Sequence, residues 1–208
     1  MNTTEKVNML QGAHGQAGQH NWATGNNNGC PRLRIPQLHL EDGPNGVADN
    51  VGEVTTFPSS LTVAASWDRE LLHRYGAAVG REQRGKGMNV MLGPGVNLAR
   101  VPQGGRNFEY LGEDPVLTSE LSESEVNGLQ AEGVLGCAKH FIDNNQEGPG
   151  HNGRVSQSAT VGQRAQRELY YKALSGAIKA GVGWAIALST LCPNCASAFP
   201  FSVYLPIL

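Results

Sequence analysis

Five side chains from three separate stretches have the chemistry to grip one ligand together: Asp42, Arg100, Arg106 and the adjacent pair Lys139 and His140. Asp42 follows the run Leu38-His39-Leu40, and Arg106 lies with Arg100 in the polar loop after Met88-Asn89-Val90-Met91-Leu92. Lys139 and His140 follow Val134-Leu135-Gly136-Cys137-Ala138 without a gap. A carboxylate, cations and an imidazole make charge-assisted hydrogen bonds to several hydroxyl groups at once. That set suits a polyhydroxylated ligand better than an apolar one. The competing reading is that Asp42 only begins the Asp42-Gly43-Pro44 turn and Lys139 is solvated.

Cleavage of a glycosidic bond at such a site needs two carboxylates, about 5 Å apart for retention or roughly 6.5–9.5 Å for inversion. The candidates are Asp42, Glu109, Asp114, Asp143 and Glu147. Asp114 precedes Pro115 and is better placed as a helix cap, because proline is preorganised for the first helical position. Spacing alone selects no nucleophile and acid from the others.

Short apolar runs alternate with amphipathic stretches from about residue 36 onward, the pattern of successive βα units. Leu38-His39-Leu40, Met88–Leu92, Val134–Ala138 and Val182–Leu188 read as strands. Asp68 caps a helix with Leu71, Tyr75 and Val79 on one face, stopped by Gly85 and Gly87. Asp114-Pro115 starts a second, with Leu117, Leu121 and Leu129 as its buried stripe. A third carries Tyr170, Leu174 and Ile178 and stops at Gly181. Such a series suits a doubly wound sheet or a (β/α)8 barrel, and barrels place their chemistry at the C-terminal ends of strands. Here that is where the polar residues gather.

Composition excludes several classes. The 208 residues carry 16 Lys+Arg against 18 Asp+Glu, a net charge of −2, which argues against binding nucleic acid or an acidic membrane surface. Hydrophobic residues at 39% can build a core, so the chain is not disordered as a whole. No run of about 18 apolar residues supports a membrane span, and Met1–Lys6 lacks the features of a secretory leader. Gly12, Gly15 and Gly18 match a dinucleotide loop only loosely and precede any strong strand, and Gly85-Lys86-Gly87 lacks the rest of a P-loop. Cys192-Pro193-Asn194-Cys195 has redox or zinc spacing, but no second pair stands near it in the sequence.

The order of several short segments resembles glycoside hydrolase family 3, the β-glucosidase family. Ile35-Pro36-Gln37-Leu38-His39-Leu40-Glu41-Asp42-Gly43-Pro44 is followed by Phe57-Pro58, Trp67-Asp68 and Gly93-Pro94. Gly105-Arg106-Asn107-Phe108-Glu109 with Gly112-Glu113-Asp114-Pro115 is similar to the family's GRNWE segment and its continuation, and Ala138-Lys139-His140-Phe141 to its AKHF segment. The resemblance implies an α/β chain forming the N-terminal part of an incomplete (β/α)8 barrel, and retaining β-glycosidase chemistry without metal or redox cofactor. The substrate it implies is a β-glucoside or oligosaccharide. Asp42 then corresponds to the carboxylate holding sugar hydroxyls in the −1 subsite, and Arg106, Lys139 and His140 to other contacts there. Arg154 is the counterpart of a further family arginine, although Gly148-Pro149-Gly150-His151-Asn152-Gly153 shifts its place. Glu109 supports the arginine rather than acting in catalysis. The sister activity, N-acetylhexosaminidase, uses a KHFPGHG-type loop, whereas Phe141–Glu147 lacks that Gly-His-Gly.

The departures from the family shape the expectation for activity. The family's Ser-Asp-Trp motif, which bears the nucleophile, occurs nowhere in the 208 residues, and the general acid/base has no counterpart. The expected organisation is a lead-in over 1–30, a partial barrel over 31–183 and a divergent, uncharged tail over 184–208, of a kind that a reading-frame shift or an unspliced extension would give. On this reading the chain carries subsite residues but neither catalytic carboxylate. The alternatives are a non-catalytic sugar-binding remnant and a redox or zinc module on Cys192 and Cys195. Family members are often secreted or periplasmic, and the sequence fixes neither compartment nor oligomeric state.

Overall fold

A computed structural model describes residues 1–10, 12–13, 23–48, 52–146, 159–187 and 203–206. The helices are α1 (Thr3–Leu10), α2 (Ser60–Ala64), α3 (Arg69–Gly85), α4 (Pro115–Ala131), α5 (Gln163–Ala165) and α6 (Tyr171–Lys179), with a π-helical turn at Gln166–Tyr170 between the last two. The strands are β1 (Gly12–Ala13), β2 (Gly25–Asn27), β3 (Leu38–Asp42), β4 (Val90–Leu92), β5 (Leu135–Lys139), β6 (Trp184–Ala187) and β7 (Val203–Pro206). They form one sheet in chain order. β3, β4, β5 and β6 run parallel, while β1, β2 and β7 join antiparallel at the two margins. The sheet is open, as the N-terminal part of a TIM-like barrel is before its remaining strands close it.

Burial explains the strands. Parallel strands covered on both faces need apolar residues on both, and Val90, Met91 and Leu92 of β4 are all buried. Side chains alternate between faces along a strand. Val90 and Leu92 therefore pack with Leu40 and Cys137, while Met91 packs with Leu72, Tyr75, Val79, Leu121 and Leu129 of the helical layer. Thus β4 is the septum between two apolar clusters.

The helices start where the sequence places their caps. The Asp68 carboxylate accepts from the backbone N–H groups of Glu70 and Leu71 at 2.9 and 3.1 Å, and Asp114 accepts from that of Leu117 at 2.7 Å. Such caps satisfy orphan donors of the first turn, each contributing about 1 kcal/mol. The helical layer then closes through glycines rather than large side chains. A Cβ on Gly76 would strike the Glu125 carbonyl, one on Gly128 the His73 carbonyl, and one on Gly176 the Ser119 carbonyl. Backbones of α3, α4 and α6 therefore approach within reach of each other, which fixes how the strands they cover are spaced.

One expectation is corrected. Ile178 does not lie on the buried face of its helix but is 42% exposed. The buried face is Ala173, Leu174, Gly176 and Ala177, because the close approach at Gly176 turns the small residues toward α4. The segment before β3, which includes the lead-in over 1–30, supplies α1 and the antiparallel β1 and β2. Gly25-Asn26-Asn27 has no apolar alternation to announce a strand, and its pairing comes from the edge that β3 offers.

Glu125 is fully buried within α4, and neither carboxylate oxygen has a partner among the described residues. Burial pushes its pKa up to about 8 from 4.5. The folded state then binds the proton more tightly than the unfolded chain does, so stability is lost as pH rises from about 4.5 to about 8. Glu125→Gln, which cannot ionise, should match the parent in thermal unfolding near the lower limit. Each pH unit of the interval corresponds to about 1.4 kcal/mol, and about 2–4 °C follows from each kcal/mol in a chain of this size. Melting curves should therefore separate by roughly 10 °C or more near pH 8; parallel curves for the two proteins would show that the carboxyl is not held neutral.

Candidate functional site

Parallel register carries the C-terminal ends of β3 and β5 to the same rim. Asp42 is opposite Leu92 of β4, and Lys139, the last residue of β5, is opposite Ile186 of β6. The chain leaving β4 stays beside β5: Lys139 N–H donates to the Pro94 carbonyl at 3.0 Å, and Val96 N–H to the Lys139 carbonyl at 2.7 Å. Gly95 lies so near the Glu109 carbonyl that a Cβ there would collide with it. This glycine lets the 3-10 turn Asn107–Glu109 close down over the strand ends.

The side chains at this rim form a continuous ladder. Lys139 Nζ donates to Asp42 Oδ1 at 2.5 Å and lies 3.4 Å from Glu109 Oε2. Glu109 Oε1 accepts from Arg106 Nε, and Arg106 Nη1 lies 3.1 Å from His140 Nε2. His140 is held from its other side by Asn97, whose Oδ1 stands 2.7 Å from the His140 backbone nitrogen and 3.1 Å from Nδ1. Asn97 Nδ2 donates to the Asn144 carbonyl at 2.5 Å. Two carboxylates and two cations thus alternate, which is how buried charges are tolerated.

Exposure is graded along the ladder. The Lys139 and Glu109 side chains are 4% and 7% exposed, that of Arg106 17%, and that of Asp42 37%. Asp42 is therefore the open end, with lone pairs left to accept from hydroxyl groups while Lys139 holds it in place. The neighbouring acid, Glu41, is fully buried. It accepts from Thr24 Oγ1 at 2.8 Å, the Thr24 backbone N–H at 3.1 Å and the Asp42 backbone N–H at 3.0 Å. Glu41 ties β3 to the segment before it and lies on the opposite side of the strand from the rim.

Asp42, Arg106, Lys139 and His140, expected to converge, are brought together in one cluster. Arg100, expected to converge with them, is not part of the cluster: its guanidinium sits 5.8 Å from the ring centroid of Tyr170, a cation–π arrangement. Among the other carboxylates, Asp114 is used as a helix cap. Asp143 is 6% exposed and accepts from Gln166 Nε2 at 2.6 Å, and burial raises its pKa. Glu147, Arg154, Cys192 and Cys195 lie outside the described residues. Burial pushes the Cys137 thiol up to about 12, which removes it as a nucleophile. The residues that sequence reasoning missed are Asn97 and Asn144. No spacing marks them, because the Asn97 amide bonds to backbone groups of His140 and Asn144 that only the fold brings near.

The model of the glycosyl hydrolase family 3 N-terminal domain matches residues 14–199. Thermostable β-glucosidase B of Acetivibrio thermocellus is 42% identical over 166 residues, which are 74% of this chain and 22% of that protein. β-Glucosidase BoGH3A of Bacteroides ovatus is 42% identical over 170 residues, 76% of this chain and 22% of that protein. Among solved structures, β-glucosidase 3B from Thermotoga neapolitana in complex with glucose superposes with a TM-score of 0.78 at 37% identity, covering 86% of this chain and 26% of that one. The β-glucosidase D2-BGL from Chaetomella raphigera gives 0.81 at 34% identity, covering 89% and 25%. The chain spans about a fifth to a quarter of the length of the relatives it matches. With its strand order, its rim of Asp42, Arg106, Lys139 and His140 and a match across most of its length, the chain belongs to glycosyl hydrolase family 3, within the N-terminal domain.

Proposed function

We propose that these residues form the hydroxyl-binding half of the sugar subsite of a retaining β-glucosidase, acting on a β-glucoside or oligosaccharide. The observation that carries this reading is the Asp42–Lys139 pair at 2.5 Å, buried at the lysine and open at the carboxylate. Asp42 accepts from sugar O–H groups, and Lys139 and Arg106 hold the carboxylates in place. Charge-assisted hydrogen bonds of this kind are shorter and about twice as strong as neutral ones. Arg154 joins as a further hydroxyl contact.

Glu109 has the wrong surroundings for a nucleophile. Its two oxygens are engaged by Arg106 and Lys139, so attack on an anomeric carbon would require breaking the ladder. Retaining chemistry needs one carboxylate to form the glycosyl-enzyme and another to protonate the leaving oxygen, about 5–5.5 Å apart. On our reading neither is among the 208 residues, which contain no Ser-Asp-Trp. A second reading is a sugar-binding remnant without catalysis, since the Asp42–Lys139 pair can hold hydroxyl groups without either catalytic carboxylate.

Hydrolysis of a chromogenic β-glucoside separates the two. Turnover is expected of a protein in which these residues are joined to the two carboxylates, and there Asp42→Ala should lower kcat/KM by roughly 10- to 100-fold, since losing a charged hydrogen bond costs about 1.5–3 kcal/mol and each 1.4 kcal/mol is about tenfold. Glucose binding without turnover would select the remnant; neither would reject the sugar site.

Glu109→Ala provides a structural check. It leaves two neighbouring buried cations without their shared carboxylate, a change worth about 3–5 kcal/mol of stability. Glu168→Ala breaks the exposed pair with Arg164 and should cost below about 1 kcal/mol. Denaturant midpoints that drop equally in both variants would contradict the central place given to Glu109.

A further inference from the structure

We propose that β7 is a strap on the sheet: it occupies, in the antiparallel sense, the edge of β6 on which a further parallel barrel strand would add, and so bars the strands that would complete the barrel. The inference rests on strand pairing and barrel architecture and is independent of the sugar-site reading above.

β6 is paired on both of its edges. On the inner side it runs parallel to β5, with Cys137 opposite Trp184, Ala138 opposite Ala185 and Lys139 opposite Ile186. On the outer side β7 covers its whole length: Trp184 is opposite Pro206, Ala185 opposite Leu205, Ile186 opposite Tyr204 and Ala187 opposite Val203. A (β/α)8 barrel is built of parallel strands, each reached from the last through a crossover. β7 runs against β3, β4, β5 and β6, so it is not the next strand of that series. It sits where the next one would pair.

The form of β7 suits an end piece. An open edge presents unpaired N–H and C=O groups, a template for any strand that arrives. Short strands and proline blunt such edges, and β7 has four residues, the last of them Pro206. Antiparallel pairing is slightly more stable per residue than parallel pairing. A strand tethered to the same chain also competes at an effective concentration on the order of millimolar. A strand arriving from outside meets only the fraction of chains whose edge is bare, and its apparent affinity falls by that fraction.

Position gives the strap its consequence. Val203 opposite Ala187 puts the start of β7 at the C-terminal end of β6, one strand away from Lys139 at the end of β5. Strands added beyond β6 would bring their own C-terminal ends to this rim, where barrels gather their chemistry. While β7 holds the edge, they cannot pair there.

The test uses the 208-residue chain with Cys192→Ser and Cys195→Ser, to which Ala185→Cys and Leu205→Cys are added; Cys30 and Cys137 are buried. Opposed residues of antiparallel strands have Cα atoms about 4.5–5.5 Å apart, within reach of a disulfide, so oxidation should lock β7 onto β6. The probe is the part of Thermotoga neapolitana β-glucosidase 3B that follows the stretch similar to this chain, immobilised. The reduced chain should bind it at least about tenfold more tightly than the oxidised chain. Equal binding in the two redox states, binding in neither, or failure of the cross-link to form would overturn the strap.

Hydrogen exchange on the unaltered chain reads the edge directly. The N–H groups of Trp184–Ala187 that point away from β5 should be protected, and in Tyr204→Pro/Leu205→Pro they should exchange at least about tenfold faster. Successive N–H groups of a strand point to opposite edges, so two adjacent prolines remove at least one donor directed at β6. Outward groups that are already unprotected in the unaltered chain, or that the prolines leave unchanged, would show that β7 does not hold this edge.

Discussion

The ammonium group of Lys139 is the point on which this structure turns. Burying a cation whose side chain is 4% exposed is offset by close anionic partners, and Lys139 has two, from elements far apart in sequence. Asp42 arrives on β3, 97 residues earlier, and Glu109 on the turn that follows β4. Satisfying one lysine therefore requires β3 and β5 in register on either side of β4, and the 106–109 turn folded over their ends. Removing either carboxylate would leave the lysine's burial incompletely compensated, so the ladder is a constraint on the fold as much as a site.

The scaffold meets that constraint through close backbone packing. α3, α4 and α6 approach each other at Gly76, Gly128 and Gly176, where a side chain would collide with a carbonyl of the facing helix. Met91 and the leucines of α3 and α4 fill the space between helices and sheet, and Val90, Leu92, Leu40 and Cys137 fill the other face. Gly95 repeats the device at the rim, where it admits the backbone of Glu109. Closely packed interiors transmit small displacements rather than absorb them. The polar ladder thus inherits its precision from apolar and glycine contacts well below it.

Much of this was legible in the sequence, for reasons specific to particular residues. Asp68 and Asp114 announce their helices because capping is a local interaction, complete within three residues. Val90-Met91-Leu92 is legible because a strand covered on both faces must be apolar throughout. The short β1 and β2 were not, since Gly25-Asn26-Asn27 carries no pattern and pairs only because β3 presents an edge. Ile178 was misplaced because helical spacing gives the period of a buried stripe but not which flank a neighbouring helix covers. Asn97 escaped for a stronger reason: its two fixed partners are the backbone groups of His140 and Asn144, which carry no side-chain signature.

Glu41 and Asp42 show where the division lies. The sequence by itself determined that two adjacent acids close the first parallel strand, that a lysine and a histidine close the third, and that an arginine lies between them in the chain. The alternation of side chains along β3 then sends one acid to each side, but the tertiary structure alone decided which side is which. Thr24 closes over Glu41 and buries it, while Lys139 and the rim leave Asp42 open. Local chemistry fixes what each residue can do; the long-range pairing of strands fixes which one is free to do it.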